Sequence, residues 1–486
     1  MPGTRTSNEV PATLSDTAIA VASHLSPGHG APSARHITLL AESEPVTPPS
    51  LWTDTSALTL AAQFAARARH DSLSLGIGLI TRYFDGVRLL RPASLSSRVR
   101  SQLYASAGEY CCALGWTPVA ARFAAEALLF ADTGALRYRA ISISAFAQAM
   151  NGEFRAATDQ AARAHEIFDA EGWPATEIAR AHCKAEIVVA SSRADAAKLR
   201  EMSARMTAAQ PDDPFWIFTA RFADVLARLY SRDFSGALAG SSELLYGSLR
   251  HSSPRPDRLF LVSVRSDMLV ARGEYDEAVA FLAPFESPEG HGICFASQRA
   301  TSLIHLGRER QAIADTDACA ADESAHSLRT LVPLLARRAV AFQRLGSVRR
   351  AEQSMESVIL LLERAGASGL PFLMLPDAEV RGLIDIVSAH RPELRATAGE
   401  IRRLLGRVTA PTGVPPPPLS TGGLTPTERT LAAMLVTPLT LADIARERGV
   451  SLNTVKSQLR SIYVKVGAAG RADAVELLTR PTSDHR

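Results

Sequence analysis

Apolar residues along most of the chain recur at the three- and four-residue spacing of amphipathic helices, in paired segments separated by short turns. The turns begin, in most copies, with a small residue, and Ala follows five positions later in every copy. The motif occurs seven times, as "GWTPVA" (115–120), "GEFRAA" (152–157), "SRADAA" (192–197), "RDFSGA" (232–237), "GEYDEA" (273–278), "GRERQA" (307–312) and "GSVRRA" (346–351). We interpret each copy as a helical hairpin, in which the small residue permits the turn and the Ala lets the two helices approach closely.

The hairpin motif resembles the tetratricopeptide repeat, most closely at "GEYDEA" (273–278), and successive copies begin 34 to 41 residues apart. This resemblance implies an all-α solenoid, predicted over residues 55–405. One hairpin cannot bury its own apolar face, so stacked neighbours supply the core and present an extended concave surface. We expect that surface to bind a protein, peptide or small-molecule effector. A role in dimerisation or spacing alone is the alternative.

A different helical pattern occupies the C-terminal residues 424–480. "TPTE" (425–428) and "TLAD" (440–443) both have a hydroxyl residue three positions before an acid, which predicts a capping box at the start of a helix. Gly449 predicts the end of the second helix, because glycine adopts the left-handed conformation without strain. A third helix then starts near Ser451. Two helices joined by so short a turn have the spacing of a helix-turn-helix.

The third predicted helix has two contrasting faces. The apolar face consists of Val455, Leu459, Ile462 and Val466. The opposite face consists of Asn453, Lys456, Ser457 and Arg460. No Asp or Glu occurs from 451 to 467, whereas an ordinary solvated face would carry mixed charges. Donors and cations without acids suit the major groove of DNA, where phosphates flank base edges that are rich in acceptors.

These C-terminal residues resemble the DNA-binding domain of LuxR-type transcriptional regulators, through "LTPTERTLAAML", "LADIARERGVSLNTVKSQLRSIYVKVG" and "GRADAVELL" within 424–478. By this resemblance Lys456, Ser457 and Arg460 enter the major groove, while Thr454 and Lys465 contact backbone phosphates. The predicted DNA-binding residues are therefore Asn453, Thr454, Lys456, Ser457, Arg460 and Lys465. The resemblance also implies double-stranded DNA as partner and a homodimer on DNA, paired through a fourth helix at about 471–479.

Three positions depart from the family pattern: Pro438, Gln458 and Gly470 stand where Gly, His and Ser are usual. The first two affect a loop and a contact beside the groove-facing residues, so they bear on the preferred DNA site more than on DNA binding. Charge agrees with a nucleic-acid partner at this end. The net charge of the chain is +3, and residues 424–486 hold nine Lys or Arg and six Asp or Glu, so the whole excess lies there.

Two stretches lack helical or alternating periodicity. Residues 1–50 scatter Pro, Ser, Thr and Gly among short apolar pieces, which predicts a mobile N-terminal arm. "TAPTGVPPPPLSTGG" (409–423) contains four consecutive prolines and predicts an extended linker. At ~3.1 Å per residue this linker reaches at most roughly 45 Å. The predicted organisation is thus arm 1–50, repeats 55–405, linker 409–423 and helix-turn-helix domain 424–480.

The sequence predicts neither an enzyme nor a metal or cofactor site. No nucleophile–base pair or carboxylate cluster follows from local spacing, and no Gly-Lys dipeptide exists for a phosphate-binding loop. The five cysteines form no C-x-x-C pair, and the nearby His24, His29 and His36 have no Cys or carboxylate beside them. Without a leader or a long apolar run, the expected location is the cytoplasm.

The combination of solenoid and C-terminal domain resembles the MalT-like group of LuxR-type activators without its ATPase module. The predicted function is therefore a sequence-specific bacterial transcription regulator, an activator by resemblance, whose repeats sense a ligand or a protein partner. The alternative is an interaction scaffold whose helix-turn-helix contacts proteins rather than DNA.

Overall fold

The structure is a computed structural model that describes residues 14–28, 33–91, 93–252, 255–288, 290–323, 326–410, 426–435, 439–466, 468, 470–471 and 474–475. Over these residues the predicted all-α class is confirmed. The only paired strands that they contain form one small hairpin, β1 (Phe84–Asp85) with β2 (Arg88–Leu89). None of the described helices has both the length and the apolar character needed to cross a membrane.

The helices follow one another with short connections. Those before and between the first repeats are α1 (Leu14–Ser23), α2 (Ala34–Glu42), α3 (Asp54–His70), α4 (Gly78–Thr81), α5 (Ser97–Leu114), α6 (Thr117–Leu129), α7 (Gly134–Asn151), α8 (Phe154–Ala170), α9 (Arg180–Ser192) and α10 (Ala196–Ala209). The next are α11 (Pro214–Tyr230), α12 (Phe234–Tyr246), α13 (Arg255–Ala271), α14 (Tyr275–Leu282), α15 (Phe295–His305), α16 (Glu309–Ala321), α17 (Leu328–Arg344), α18 (Val348–Ala365), α19 (Asp377–His390) and α20 (Arg395–Val408). The C-terminal three are α21 (Pro426–Leu435), α22 (Leu441–Glu447) and α23 (Leu452–Val466).

The turns of the seven hairpins from α5–α6 to α17–α18 share one geometry. In each turn one residue has a positive φ, and these residues are Gly115, Gly152, Ala194, Arg232, Gly273, Gly307 and Gly346. The N–H of the following residue donates to the carbonyl five positions before it, at 2.9–3.0 Å in every case. This bond closes a Schellman motif, which satisfies a carbonyl at the end of the first helix and starts the second helix two residues later.

The predicted close approach of the paired helices is confirmed. The Ala five positions after the turn is at most 2% exposed in six hairpins: Ala120, Ala157, Ala237, Ala278, Ala312 and Ala351. The copy at 192–197 was predicted two residues out of register. Its positive φ lies at Ala194, so the motif is 194–199, and Leu199, which is fully buried, takes the place of the Ala.

The expected mobile arm differs from the structure over residues 14–42. Helices α1 and α2 lie there and pack on α3, and Leu40, Val21 and Ala62 share one buried cluster. Gln63 on α3 also donates to the carbonyl of Glu44 at 2.8 Å, which fixes the chain beyond α2. The apolar pieces are too short to show a helical period by themselves, but α3 offers them an Ala-rich face. Residues 1–13 and 29–32 lie outside the described residues.

Early and late hairpins touch, because the repeats curl around an interior space. The N–H of Gly369 donates to the carbonyl of Ser192 at 2.8 Å. A Cβ on Gly152 would lie 2.6 Å from the backbone nitrogen of Arg329, so the turn of α7–α8 meets the start of α17 at backbone contact. Of the predicted linker, Thr409 and Ala410 are described, and Ala410 donates to the carbonyl of Leu375 at 3.0 Å. Residues 411–425 lie outside the described residues.

Candidate nucleic-acid interface and interior cavity

The three C-terminal helices meet in a small apolar core. Leu431 and Leu435 of α21, Ile444 of α22, and Val455, Leu459 and Ile462 of α23 are each at most 3% exposed. Ser461 on α23 donates to the carboxylate of Glu428 on α21 at 2.7 Å, and this acid is itself buried. The apolar face predicted for the third helix is thus the face that packs, apart from Val466, whose side chain lies outside the described residues.

Local side-chain bonds set the angle between α22 and α23. Thr440 and Asp443 form the predicted capping box: the N–H of Asp443 donates to Thr440 Oγ1 at 3.1 Å, and the N–H of Thr440 donates to the carboxylate at 3.2 Å. Gly449 has a φ of +64°, as expected for the stop of α22. Ser451 then caps α23, because its Oγ accepts from the N–H of Thr454 at 3.1 Å. The other predicted box begins at Thr425, which lies outside the described residues.

The face of α23 opposite its core is exposed and free of acid. Asn453, Thr454, Lys456, Ser457 and Arg460 are all exposed. Neither Lys456 nor Arg460 forms an ion pair or a hydrogen bond with a described residue. No acid lies in the first turn of the helix. Both cations are therefore available to an anionic partner.

A second candidate site is the space enclosed by the curled repeats. The first helices of the hairpins, from α7 to α17, line a cavity of about 140 Å³. Its apolar walls include Phe146, Ile187, Phe222, Leu226, Tyr230 and Phe260. Since these side chains come from helices far apart in sequence, the cavity is a property of the curled stack and not of any single repeat.

Charged groups also face this cavity, and four of them form two pairs of opposite charge. Lys184 Nζ lies 2.6 Å from Asp257 Oδ1 and 4.8 Å from the ring centroid of Phe146. Gln298 donates to Asp267, whose charge is also opposed by that of Arg337. Burial nevertheless raises the pKa of the Asp267 carboxyl to about 7, against the lowering effects of Arg337 and of the hydrogen bond from Gln298.

Arg329 is the cation of the cavity that has no acid partner among the described residues. Its guanidinium carbon lies 3.9 Å from the ring centroid of Phe260, and its Nη1 lies 3.8 Å from the sulfur of Met150. Its Nε atom is buried and has no hydrogen-bond partner in the part of the chain that the structure describes. Burial lowers the pKa of Arg329 to about 10, so the side chain stays charged at neutral pH. A buried and unpaired guanidinium is costly unless an anion completes it.

Residues 423–478 match the family model described as bacterial regulatory proteins, luxR family. The C-terminal domain is of the LuxR type. The chain therefore carries a LuxR-type DNA-binding domain that follows an N-terminal region of helical repeats. No curated protein sequence matches it. Among solved structures, the crystal structure of Rap protein complexed with competence and sporulation factor is similar at 15% identity and a TM-score of 0.46, over 68% of this chain and 91% of that one.

The LuxR-type domain brings five of the six residues predicted to bind DNA onto one exposed surface, while the side chain of the sixth, Lys465, lies outside the described residues. Gln458, one of the departures from the family pattern, accepts from Arg448 Nη1 at 2.6 Å and so ties the turn to α23. The start of the predicted fourth helix is described at Arg471, whose Nη2 donates to the carbonyl of Leu439 at 2.8 Å. Pro438 and most of that helix lie outside the described residues.

Sequence reasoning missed the residues of the cavity. Lys184, Asp257, Asp267 and Arg329 are each surrounded in sequence by ordinary helix-forming residues, and no spacing links them. One feature of the sequence could have indicated them. Each of these four charged residues lies within the first helix of a hairpin, where most positions are apolar or small. A charge on such a helix faces either solvent or the interior of the curl, and only the curvature decides between the two.

Proposed function

We propose that the chain is a sequence-specific regulator that places the first half of α23 in the major groove of double-stranded DNA. The observation that supports this most directly is the exposed, acid-free face of α23, on which Lys456 and Arg460 have no ion-pair partner among the described residues. In this proposal Lys456, Ser457 and Arg460 approach base edges. Asn453 contacts the DNA at the edge of the groove. Thr454 and Lys465 contact backbone phosphates.

We infer that the DNA-bound form is a homodimer. A domain this small makes few phosphate contacts, and such contacts alone give dissociation constants of about 10⁻⁴ to 10⁻⁶ M. Two copies on a two-fold-related site would raise the affinity to a useful level. The helix that begins near Arg471 is the proposed pairing surface. We propose the bacterial cytoplasm as the location, because DNA is the proposed target. The resemblance to LuxR-type activators supports activation rather than repression.

We further propose that the cavity of the repeats binds an effector that has an apolar body and an anionic group. The walls are aromatic and aliphatic, which suits an apolar body, and Arg329 lacks an acid partner among the described residues. A carboxylate fits this position, because a guanidinium binds a carboxylate through two parallel hydrogen bonds. Effector binding would then alter the contacts between early and late hairpins that close the curl.

The DNA proposal is tested with the full-length protein and a pool of random duplexes. We expect one enriched site, and we expect Lys456→Ala/Arg460→Ala to lose at least about tenfold in affinity for it, since each base contact contributes about 1–3 kcal/mol. Arg460→Ala should also relax preference at one or two base pairs. Lys465→Ala should weaken all sequences alike and lower the salt slope by about one.

The matched control is Arg403→Ala/Arg407→Ala on α20, which removes two exposed cations outside the LuxR-type domain. It should leave the affinity for the enriched site within about twofold, because these charges lie outside the proposed interface. If no site is enriched, or if Lys456→Ala/Arg460→Ala binds as tightly as the wild type, the scaffold function replaces the DNA-binding one.

A further inference from the structure

Two cysteines and two histidines meet at one corner of the repeat region. His291 lies in the loop between α14 and α15, and Cys294 lies immediately before α15. Cys319 is in the last turn of α16, and His326 follows that helix. One ligand atom from each of the four side chains lies within 4.8 Å of the others. Neither cysteine forms a disulfide.

The distances fit a tetrahedral metal site better than any covalent link between the cysteines. The two sulfurs are 3.7 Å apart, and Cys319 Sγ is 3.8 Å from His291 Nε2. Two thiolates that share one Zn²⁺ at about 2.3 Å are separated by about 3.8 Å when the coordination is tetrahedral. A disulfide requires about 2.05 Å. The spacing of the two sulfurs is therefore that of two ligands on one ion.

His326 is oriented as zinc-binding histidines are. Its Nδ1 lies 3.0 Å from the carbonyl oxygen of Asp322, and because a carbonyl can only accept, Nδ1 must carry the proton. The lone pair is then on Nε2. This atom is buried and has no hydrogen-bond partner among the described residues. A backbone carbonyl that holds the second ring nitrogen is a common outer partner of histidine ligands.

The surroundings of His291 and Cys319 also suit metal binding. His291 has a φ of +46°, a left-handed conformation that is strained for a residue with a Cβ and is often found where a side chain must be aimed. Cys319 is only partly buried, so a metal ion can reach its thiol, whereas Cys112 and Cys183 are buried. Two thiolates and two neutral imidazoles neutralise a divalent ion, which permits a partly buried site.

We propose that His291, Cys294, Cys319 and His326 bind one Zn²⁺ as a closed, structural site. Four protein ligands leave no open position for a substrate or a water molecule, as in structural zinc sites. The ion would join the α14–α15 loop to the end of α16. Cys294 also lines the interior cavity, and the same loop touches the α5–α6 turn, where a Cβ on Gly290 would lie 2.7 Å from the backbone of Gly115. The zinc proposal does not depend on the proposed DNA binding or on the proposed effector.

The first test is the metal content of the full-length protein, purified under reducing conditions without added metal. We expect about one zinc per chain in the wild type, and less than a tenth of that in Cys319→Ala and in His326→Gln. Cys183→Ala is the control, since it removes a buried thiol that is not part of the cluster, and it should keep its zinc. A wild type that carries no zinc and takes up none on dialysis against Zn²⁺ would overturn the proposal.

The second test uses Co²⁺ in place of Zn²⁺, so that it does not depend on the folding of a variant. Wild-type protein stripped with a chelator and loaded with Co²⁺ should show thiolate-to-metal charge transfer and the intense visible bands of tetrahedral cobalt. Mg²⁺ should not displace it, whereas Zn²⁺ should. Weak octahedral bands would show that the four side chains do not share an ion. A Cys294–Cys319 disulfide in metal-free protein isolated without reductant, together with failure to bind Co²⁺ after reduction, would assign the cluster to redox chemistry instead.

Discussion

At the scale of single residues, the cation that stands out is Arg329. The ammonium of Lys184 is balanced by Asp257 at 2.6 Å, and the other guanidinium of the cavity, Arg337, donates to Thr301 at 2.7 Å and to the carbonyl of Pro371 at 3.0 Å. Arg329 contacts an aromatic ring and a thioether, and it has no acid partner among the described residues. These contacts give a cation far less than a carboxylate would. The stability of the unliganded protein is therefore lowered at the position where the effector is proposed to bind.

Replacing Arg329 should separate effector binding from folding. We expect Arg329→Gln to unfold at the same temperature as the wild type or higher, because an uncompensated buried charge is removed. In a thermal-shift screen of small carboxylic acids with apolar bodies, compounds that raise the wild-type midpoint should bind Arg329→Gln at least tenfold more weakly, about 1.4 kcal/mol. Arg299→Gln on α15, outside the cavity, is the control and should respond as the wild type does. Compounds that stabilise Arg329→Gln equally well would show that the anion does not bind there.

The faces of α23 could be predicted from the sequence, whereas the charged pairs of the cavity could not. The difference is the separation along the sequence of the residues involved. The two faces of α23 follow from a 3.6-residue period within 15 residues, so Val455 and Arg460 could be assigned to opposite faces from the sequence alone. Lys184 and Asp257 are 73 residues apart, and their pairing depends on the curl of several hairpins. Whether the exposed face of α23 binds DNA stays a prediction.

At the scale of elements, the hairpin turn was predictable because one residue must adopt a left-handed conformation, and glycine does so in five of the seven motif turns. The other two turns lack glycine: the motif at Arg232 was placed correctly, whereas in the turn after α9 Ala194 takes the positive φ of +51° and the register was wrong. There the motif was placed on the nearest small residue, Ser192. The helices α1 and α2 were missed for a related reason: each has ten residues or fewer, and such short helices depend on packing rather than on their own period.

Two glycine substitutions should have opposite effects if the turn is correctly described. Gly273 has a φ of +80°, and a Cβ there would meet nothing within 4 Å, so the cost of Gly273→Ala comes from the backbone alone. We expect it to destabilise the repeat region by about 1–2 kcal/mol. Gly382 also has free space for a Cβ but lies within α19, so Gly382→Ala should stabilise by about 0.5–1 kcal/mol. Chemical denaturation measures both, and equal shifts of the same sign would contradict the assigned turn.

At the scale of the whole molecule, the sequence indicates a stack of hairpins but not its curvature. The motif is the same whether the stack is open or closed, because the turn and the buried Ala concern neighbours within one hairpin. Curvature brings Gly369 to Ser192 and assembles the cavity. The expectation of no metal site rested on the absence of C-x-x-C. In the proposed site the cysteines are 25 residues apart, at the two ends of one hairpin, α15–α16, and the fold of that hairpin brings them together.

The relation between the repeats and the LuxR-type domain gives the last prediction. Residues 409–423 are rich in Pro, Gly, Ser and Thr, and the two helical regions on either side have separate apolar cores. We therefore propose that 424–486 folds by itself and is tethered rather than packed within the repeats. A protease of broad specificity should cut first between 411 and 423 and release two stable fragments, identified by mass. The C-terminal fragment should select the same DNA site as the full chain, but more weakly, because a lone domain has fewer contacts to hold a pair together. First cuts within the repeats, with the two regions still joined, would show that the domains are integrated into one unit.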